Sequence, residues 1–402
     1  MKISETKLDN LYVRYGFKRI DLSDNARVYT YQGPYFHNAE IVPLISGCNL
    51  EPVQKKLENS GYSVRIQNLE SLQQAEEHLF TGFFRKQPSR KRAKHAYDDF
   101  VEKRTQYLGF DYQYIPVPYI NYRDADDKLT NPLVKRIVEI FDRPDPQLVF
   151  VDAPAGFGKT CTALEVLSSL LEYREDWIPV VTELSRNRQA RLFRYVLLDE
   201  IDRSFNLRSA LVEDEIKRGR IPLIIDGFDE LLSRGSIDSE STSLDEAESM
   251  LDTIAGLLER NAKILVTTRR TAIFSGTPFD DWVDRLNSKT TVSRFQIQTP
   301  SLDDWIGKSR RTELEKHGVP VEHLSNPVLL SFLRRQAEES FKGLCKRPNE
   351  IVENYFEQIL DREMHRQDLK MKPQEQLTIL KKLATEMLDS DFTHESSGQV
   401  CH

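Results

Sequence analysis

Two glycines, a lysine and a threonine lie close together near the middle of the chain, in an order that suits phosphate binding. They belong to the segment Ala153-Pro-Ala-Gly-Phe-Gly-Lys-Thr160, which follows an apolar run and precedes a helical pattern. Glycines let the backbone approach a phosphate closely, and the N-terminus of the following helix adds a partial positive charge. The order of strand, glycine-bearing turn and helix predicts a P-loop, which binds a nucleoside triphosphate.

The residues of this segment have distinct expected roles. Lys159 is expected to reach the β- and γ-phosphates, and Thr160 to hold Mg²⁺ through its hydroxyl group. Ala153 stands where the usual motif has its first glycine, and we expect its small methyl group to be tolerated. The predicted cofactor-binding residues of the segment are Ala153, Pro154, Ala155, Gly156, Phe157, Gly158, Lys159, Thr160 and Cys161.

A second polar group follows the apolar run 221–225. Asp226 comes directly after this run, and Asp229 and Glu230 stand three and four positions further on. Asp226 is predicted to bind Mg²⁺ or its water shell. Asp229 or Glu230 is the predicted catalytic group that polarises an attacking water; the alternative is that both are first-turn charges of the next helix.

A third apolar run, 263–266, also ends in polar side chains, among them Thr267 and Arg269. A guanidinium beside the γ-phosphate would distinguish a triphosphate from a diphosphate, so Arg269 is the third predicted catalytic residue. The alternative for Arg269 is a solvated side chain at the end of a strand.

These residues need a scaffold that brings strand ends together. We predict strands at 148–151, 178–182, 223–225, 263–267 and 292–296, and helices near 160–171, 189–205, 209–218 and 246–261. Such alternation indicates an α/β fold: a parallel sheet with helices on both faces, whose carboxyl edge is the usual place for a ligand. Past residue 300 the apolar residues follow helical periodicity in five segments, which predicts a helical bundle.

The whole chain divides by composition into several parts. We predict a small α/β sensor or interaction domain at 1–84, a linker at 85–130, the P-loop NTPase domain at 131–298, a helical domain at 299–390 and a flexible tail at 391–402. The N-terminal domain shows the order helix, strand, strand, helix, strand, helix.

Composition limits the classes of function. The chain has 402 residues, 39% of them hydrophobic and 30% charged, which is typical of a soluble globular protein. Its net charge of −7 gives no general attraction to nucleic acid or to an anionic membrane. Four widely spaced cysteines and the lack of a signal peptide or spanning segment favour a reduced, cytoplasmic protein without a membrane partner.

One short stretch departs from this acidic balance. The basic residues between positions 85 and 94 are Arg85, Lys86, Arg90, Lys91, Arg92 and Lys94. The stretch contains no aromatic residue for base stacking, so a solvated linker is one interpretation and phosphate contact with nucleic acid is the other.

Together these motifs resemble the NACHT family, within the STAND class of P-loop ATPases. The strongest match is Leu223-Ile-Ile-Asp-Gly-Phe-Asp-Glu230, with a small residue after the first aspartate and two acidic residues beyond it. Thr267-Thr-Arg-Arg270 is similar to the family's sensor strand end, and Asn326-Pro-Val-Leu-Leu330 to its proline motif. The resemblance covers residues 130–390 approximately, and it implies that Pro327 approaches the adenine or the ribose.

The resemblance implies an ATPase that works as a molecular switch with Mg²⁺ and ATP or ADP. Such a protein is closed with ADP, opens on sensing a ligand, exchanges ADP for ATP and forms a homo-oligomer, while slow hydrolysis resets it. By analogy we expect a role in prokaryotic antiviral (anti-phage) defence signalling, with a phage protein as one candidate for the unidentified activating ligand.

The element order of the N-terminal domain resembles a restriction-endonuclease-like core. Active nucleases of that kind need an acidic residue followed by Glu-x-Lys to hold Mg²⁺ and activate water. Here Glu40 lies in the corresponding strand, but no lysine follows it two positions later. We therefore interpret the domain as a catalytically inactive version with a sensing or interaction role.

Two other functions stay open at this point. One is a non-hydrolysing nucleotide-binding scaffold that recruits protein or nucleic-acid partners. The other is an NTP-regulated nuclease that acts through Glu40 of the N-terminal domain.

Overall fold

The computed structural model describes residues 3–33, 37–108, 111–122, 131–183, 205, 207, 209–229, 240–269, 277–299, 301–319, 321, 324, 326–367 and 369–389. These residues fall into two compact units. The first unit consists of Met1–Asp99, Asn121–Asp152 and Lys159–Gln296, and the second of Phe100–Ile120, Ala153–Gly158 and Ile297–His402. The predicted tail at 391–402, Glu230 and nearly all of the helix predicted at 189–205 lie outside the described residues.

The N-terminal part of the first unit is a four-stranded sheet with helices. Its elements in chain order are α1 (Glu5–Arg14), β1 (Lys18–Ile20), β2 (Ala26–Gln32), β3 (His37–Pro43), α2 (Glu51–Asn59), β4 (Ser63–Ile66) and α3 (Leu72–Phe83). The strand order is β1-β2-β3-β4; the first two pairings are antiparallel, and β3 pairs with β4 in parallel. The short strand β1 was not among the predicted elements.

Two local features mark helix ends in this sheet domain. The Ser71 hydroxyl accepts a hydrogen bond from the backbone N–H of Gln74 at 3.1 Å, so it caps the start of α3. Gly61 has φ +83° just past the end of α2, a left-handed conformation that glycine adopts without strain.

A long helix, α4 (Lys86–Leu108), and a short strand, β5 (Tyr119–Asn121), occupy the segment that composition assigns to a linker. The helix has few apolar residues, and Pro88 lies in its first turn, where a proline is tolerated because the N–H is unpaired there anyway. The position of α4 depends on contacts that the hydrophobic periodicity of the sequence does not reveal: Arg90 donates to the carbonyls of Leu171, Arg174 and Trp177.

The larger sheet has the strand order β5-β10-β6-β9-β8-β7. Its elements after β5 are α5 (Leu133–Phe141), β6 (Gln147–Asp152), α6 (Lys159–Tyr173), β7 (Val180–Glu183), α7 (Ser209–Lys217), β8 (Leu223–Asp226), α8 (Glu240–Ala255), β9 (Lys263–Thr268), α9 (Thr277–Asp284) and β10 (Thr291–Ile297). Strands β10, β6, β9, β8 and β7 pair in parallel. The prediction of an α/β fold with a parallel sheet is confirmed, as are its five strands.

The helices around this sheet differ from the prediction in their limits. Helix α8 runs from Glu240 to Ala255, about six residues earlier than the predicted 246–261. Gly256 follows it, and Arg260 has φ +52°, so the apolar pattern continues through a turn rather than a helix. Helix α9 was not predicted.

The second unit is helical beyond residue 300, as predicted. Its helices there are α10 (Leu302–Lys316), α11 (Pro327–Arg335), α12 (Glu338–Cys345), α13 (Asn349–Gln367) and α14 (Pro373–Asp389). Two of the predicted segments belong to the single helix α10, which is interrupted at Gly307 with φ +80°. Helix α12 is additional, because α11 ends at Arg335 and the chain starts a new helix three residues later.

Within the first unit, a buried charge network joins the N-terminal sheet domain to the larger sheet. Glu215 of α7 is fully buried, and it accepts hydrogen bonds from the Tyr15 hydroxyl at 2.9 Å and from Arg220 Nε at 2.6 Å. Arg14 lies 3.5 Å from the same carboxylate, and Arg220 also donates to the Tyr15 oxygen at 3.1 Å. Burial, and then the charge of Glu215, raise the pKa of Tyr15, so its hydroxyl stays protonated and donates.

We expect Glu215→Ala to lower the free energy of unfolding by about 3–5 kcal/mol, because it leaves buried cationic and hydroxyl groups without their acceptor. Chemical denaturation measures this change. Glu213→Ala, on the same helix but with a half-buried side chain, is the matched control and should cost under about 1 kcal/mol. Equal losses for the two variants would contradict the role given to the network.

Candidate functional site

Asp226 is the centre of a polar cluster at the carboxyl edge of the larger sheet. It is the last residue of β8, and its Oδ2 accepts a hydrogen bond from Thr160 Oγ1 at 2.8 Å. Its other oxygen, Oδ1, accepts from the hydroxyl of Thr267 on β9. The backbone N–H of Gly227 donates back to Thr267 Oγ1 at 3.2 Å. The cluster therefore joins the start of α6 to the ends of β8 and β9.

Asp229 and Arg269 form a second pair beside this cluster. Arg269 Nε lies 2.8 Å from Asp229 Oδ2, and the backbone N–H of Arg269 donates to Asp229 Oδ1 at 3.1 Å. Asp229 is buried, with 6% of its side chain exposed, whereas Arg269 is 53% exposed. The carboxylate thus holds both the backbone and the guanidinium of Arg269, while the far side of the guanidinium faces outward.

Lys159 is the first residue of α6 and is half-buried. Burial lowers the pKa of Lys159, and the carboxylates of Asp229, Asp226 and Asp152 act in the opposite direction. A lysine surrounded by acidic groups at a helix N-terminus provides one mobile positive charge next to several fixed negative ones. Such a group suits a ligand that brings its own negative charge together with a cation.

A buried ion pair, which the sequence analysis did not identify, lies at the end of β6. Arg294 of β10 donates from Nε to Asp152 Oδ2 at 2.7 Å, and the two side chains are 1% and 0% exposed. The Arg294 guanidinium lies 4.5 Å from the ring centroid of Tyr122 and 4.8 Å from that of Phe279. The one signal in the sequence is that Arg294 is the single charged residue of β10. Asp152 and Arg294 are 142 positions apart, so only the order of the strands in the sheet shows that they are partners.

The loop 153–158 belongs to the second unit. Ala153 is fully buried, so the methyl group in place of the first glycine of the motif is accommodated. Gly156 and Gly158 have φ of +81° and +83°, which confirms the positive-φ backbone expected of both glycines. A Cβ added at Gly158 would meet no described atom within 4 Å, so the loop has open space there.

The start of α11 packs against this loop within the second unit. A Cβ added at Gly156 would lie 2.7 Å from Val328 Cγ2 and 3.9 Å from Asn326 Oδ1. Asn326 caps α11 by accepting a hydrogen bond from the backbone N–H of Val328 at 2.8 Å. Pro327 is the buried first residue of the helix. The predicted proline motif is therefore a helix start in contact with Gly156.

Residues with oxygen donors fit a magnesium ion at the Thr160–Asp226 contact. Mg²⁺ takes one or two protein oxygens and completes its shell with phosphate and water. Thr160 uses its hydroxyl hydrogen toward Asp226, so its lone pairs are left for a cation. Among the described residues, no group of three or more His, Cys, Asp or Glu side chains is arranged to hold a metal ion by itself.

Some of the predicted site residues lie in the first unit and others in the second. In the first unit, the carboxylate cluster contains Lys159, Thr160, Asp226, Asp229 and Arg269. The second unit contains the loop 153–158 and Pro327. Cys161 is half-buried in the first turn of α6, and the position of Glu230 is not described.

In the N-terminal sheet domain, the Glu40 carboxylate is in contact with a tyrosine and a histidine. The Tyr12 hydroxyl donates to Glu40 Oε2 at 2.8 Å, and His78 Nε2 lies 3.1 Å from each carboxylate oxygen. The position two residues after Glu40 is the buried Val42. The arrangement has a tyrosine and a histidine around the carboxylate, and no lysine at the position where an active nuclease needs one.

The N-terminal region matches a known protein family. Residues 7–122 match the family described as NACHT-associated inactive Restriction Endonuclease 2. The match agrees with the resemblance to an inactive restriction endonuclease and supports an association with NACHT proteins. It includes helix α4 and strand β5, beyond the boundary predicted at residue 84.

Solved structures give weaker similarities, and no curated protein matches the chain. A DNA replication initiation factor is 11% identical, with a TM-score of 0.31 over 59% of this chain and 68% of that one. Domain III of the Thermotoga maritima replication initiation protein DnaA is 14% identical, with a TM-score of 0.27 over 62% and 90%. The ORC2 protein of Aeropyrum pernix in its ADP form is 13% identical, with a TM-score of 0.30 over 74% and 81%. These similarities are low in both sequence and superposition.

Within the described part of the chain, none of the helices combines the length and the apolar character needed to cross a membrane.

The contact between Gly156 and Val328 gives a testable difference between the two loop glycines. Gly156→Ala combines a left-handed backbone with a methyl group 2.7 Å from Val328, whereas Gly158→Ala has the backbone cost without the collision. We expect the first variant to be less stable than the second by about 1–3 kcal/mol in thermal unfolding without nucleotide. Adding Val328→Ala to Gly156→Ala should recover part of the loss. A double variant that loses the full sum of both costs would contradict the contact.

Proposed function

We propose that this chain is an ATP-dependent molecular switch of the NACHT type, with slow, regulatory ATP hydrolysis. The observation that carries the proposal is the hydrogen bond between Thr160, at the start of α6, and Asp226, at the end of β8. A hydroxyl after a P-loop lysine and a carboxylate at the end of a neighbouring strand are the two protein ligands used for Mg²⁺ in P-loop NTPases. The NACHT-associated family match over residues 7–122 supports the same class.

Each group then has a place in nucleotide binding. Gly156 and Gly158 allow the loop backbone to turn its N–H groups toward phosphate oxygens, and Lys159 supplies a positive charge to the β- and γ-phosphates. Thr160 and Asp226 hold Mg²⁺, which when bound neutralises phosphate charge. Pro327 contacts the adenine or ribose, as the resemblance implies.

We assign different roles to Asp229 and Glu230. Because Asp229 is buried and each of its oxygens contacts Arg269, we assign it the role of a positioning residue for the guanidinium. Glu230 is then the group that orients and deprotonates the attacking water. Arg269 presents its outward side to the γ-phosphate and distinguishes ATP from ADP.

The remaining parts of the proposal follow from the NACHT resemblance. The N-terminal domain is a catalytically inactive sensing or interaction domain, consistent with the Tyr12 and His78 contacts to Glu40. On sensing a ligand, for which a phage protein is one candidate, the chain exchanges ADP for ATP and forms a homo-oligomer. The setting is prokaryotic antiviral defence in the cytoplasm.

Nucleotide binding is tested with Lys159→Ala, which removes the charge that reaches the phosphates. We expect the affinity for a fluorescent ATP analogue with Mg²⁺ to fall by about 10- to 100-fold. Lys135→Ala, at an exposed position on α5, removes the same charge elsewhere and should bind normally. Unchanged ATP affinity in Lys159→Ala would reject the assigned site.

Hydrolysis is tested with Glu230→Gln in a phosphate-release assay. We expect kcat to fall by about 10²- to 10⁴-fold with ATP affinity retained, because the substitution removes the base and keeps the shape. If wild-type protein binds ATP without releasing phosphate, whether or not it is activated, the chain is a non-hydrolysing scaffold instead.

The Asp229–Arg269 pair is tested separately, through the ratio of ATP affinity to ADP affinity. Arg269→Ala and Asp229→Asn should both reduce the ratio of ATP affinity to ADP affinity, because each removes or releases the guanidinium that senses the γ-phosphate. Arg260→Ala, an exposed arginine paired with Asp214, is the control and should leave the ratio unchanged. A ratio that stays the same in Arg269→Ala would exclude this arginine as the sensor.

A further inference from the structure

The first half of helix α4 exposes a face of positive charge. Lys91, Lys94 and His95 are spaced so that they share one side of the helix, and Arg92 lies next to them; all four are exposed. The sequence has no Asp or Glu between Glu77 and Asp98. We call the surface formed by Lys91, Arg92 and Lys94 the α4 basic face.

The side of the helix that carries Arg90 and Tyr97 is fixed to the larger sheet domain, and Lys94 lies at the edge of this side, with its Nζ 4.7 Å from the centroid of the Tyr97 ring. Arg90 donates to the carbonyl oxygens of Arg174 at 2.8 Å and of Leu171 at 2.5 Å, and also to that of Trp177. Two turns further along, the Tyr97 hydroxyl lies 3.1 Å from Glu165 Oε1. These contacts hold α4 against α6. The backbone that carries the basic face is therefore fixed before a ligand arrives, and binding costs little conformational entropy of the helix.

Two acidic residues mark the end of the face. Asp98 lies 3.1 Å from Lys94, and Asp99 lies 3.6 Å from His95. The side chains of the first pair are 53% and 55% exposed, so its energy is small and a stronger anion can displace it. A cavity of about 360 Å³ between α4 and α6 is lined by Arg90, Lys91, Lys94, Ser168, Leu171 and Glu172. Because Glu172 repels phosphate inside this cavity, an anion is favoured on the outward face.

We propose that the α4 basic face binds the phosphate backbone of duplex DNA. Duplex DNA carries one negative charge per ~1.7 Å of its axis, and lysine and arginine side chains contact it without reading sequence. The exposed residues of the face include no aromatic ring on which a single strand would stack and no large apolar side chain that would insert into a membrane. This activity goes beyond the proposed nucleotide switch and uses none of its residues.

The net charge of the whole chain does not oppose this binding. The value of −7 is spread over 402 residues, whereas salt screens charges over about 8 Å at physiological ionic strength. A phosphate backbone on α4 therefore experiences mainly the local cations. The negative charges of Asp98 and Asp99 also act locally. Their removal therefore provides a second variant, in which DNA binding is expected to become stronger instead of weaker.

The experiment measures fluorescence anisotropy of a labelled DNA duplex of mixed sequence, with full-length protein between ~50 and ~200 mM salt. We expect wild-type protein to bind with a steep salt dependence. The triple variant Lys91→Gln, Arg92→Gln, Lys94→Gln should bind more weakly, with the slope of log K against log salt reduced by about three. The matched control, Lys18→Gln, Lys55→Gln, Lys56→Gln, removes equal charge from exposed positions of the sheet domain and should keep the wild-type slope.

Asp98→Asn with Asp99→Asn is expected to raise the affinity and the slope, which keeps the test informative if the triple variant does not fold. Lys159→Ala should bind the duplex as wild type does, so failure of nucleotide binding and failure of DNA binding are separate results. Absence of duplex binding at ~50 mM salt, an equal loss in the control, or binding to duplex RNA or anionic vesicles in place of DNA would each overturn the proposal.

Discussion

The candidate site depends on one constraint: the carboxylate of Asp226 has to satisfy hydroxyls from two other elements at once. Thr160 brings the start of α6 to it, and Thr267 brings the end of β9. A hydroxyl that donates its hydrogen keeps two lone pairs, so Thr160 and Asp226 present oxygen atoms side by side. The contact fixes the register between the helix after the loop and the sheet, and it creates a place where a hard cation fits.

The sequence predicted the framework of this arrangement because buried parallel strands are continuous apolar runs that end in polar residues. It also indicated Lys159 and Thr160, which directly follow the glycines, and Asp226, which ends an apolar run. The Asp152–Arg294 pair could not be predicted in the same way, because the order of β6 and β10 in the sheet is a tertiary property. The pairing of Asp229 with Arg269 likewise depends on which strands are neighbours. This pairing is the reason for the different roles proposed for Asp229 and Glu230, which the sequence left as alternatives.

Helix α4 could not be predicted from the sequence. Its residues carry charge rather than an apolar stripe, so periodicity gives no helix signal and composition suggests a linker. Much of what holds the helix is one arginine, Arg90, which donates to the carbonyl of Leu171 at the end of α6 and to those of Arg174 and Trp177 beyond it. The last carbonyls of a helix have no partner within the helix, and a guanidinium that reaches this region satisfies several acceptors with one side chain. Tertiary hydrogen bonding here replaces the apolar face that a helix usually needs.

The same unit connects the N-terminal sheet domain with the strand that carries Asp226. Glu215 lies near the end of α7, and the chain then turns at Gly219 and enters β8 at Leu223. Gly219 has φ +77°, and a Cβ there would lie 2.2 Å from the carbonyl oxygen of Asn261, so the turn tolerates neither another residue nor a shifted path. Tyr15 and Arg14 contact Glu215 just before this turn. Arg220, which donates to Glu215 and to the Tyr15 oxygen, stands six positions before Asp226, so the contacts of the N-terminal domain reach the chain just before the strand that ends in this carboxylate.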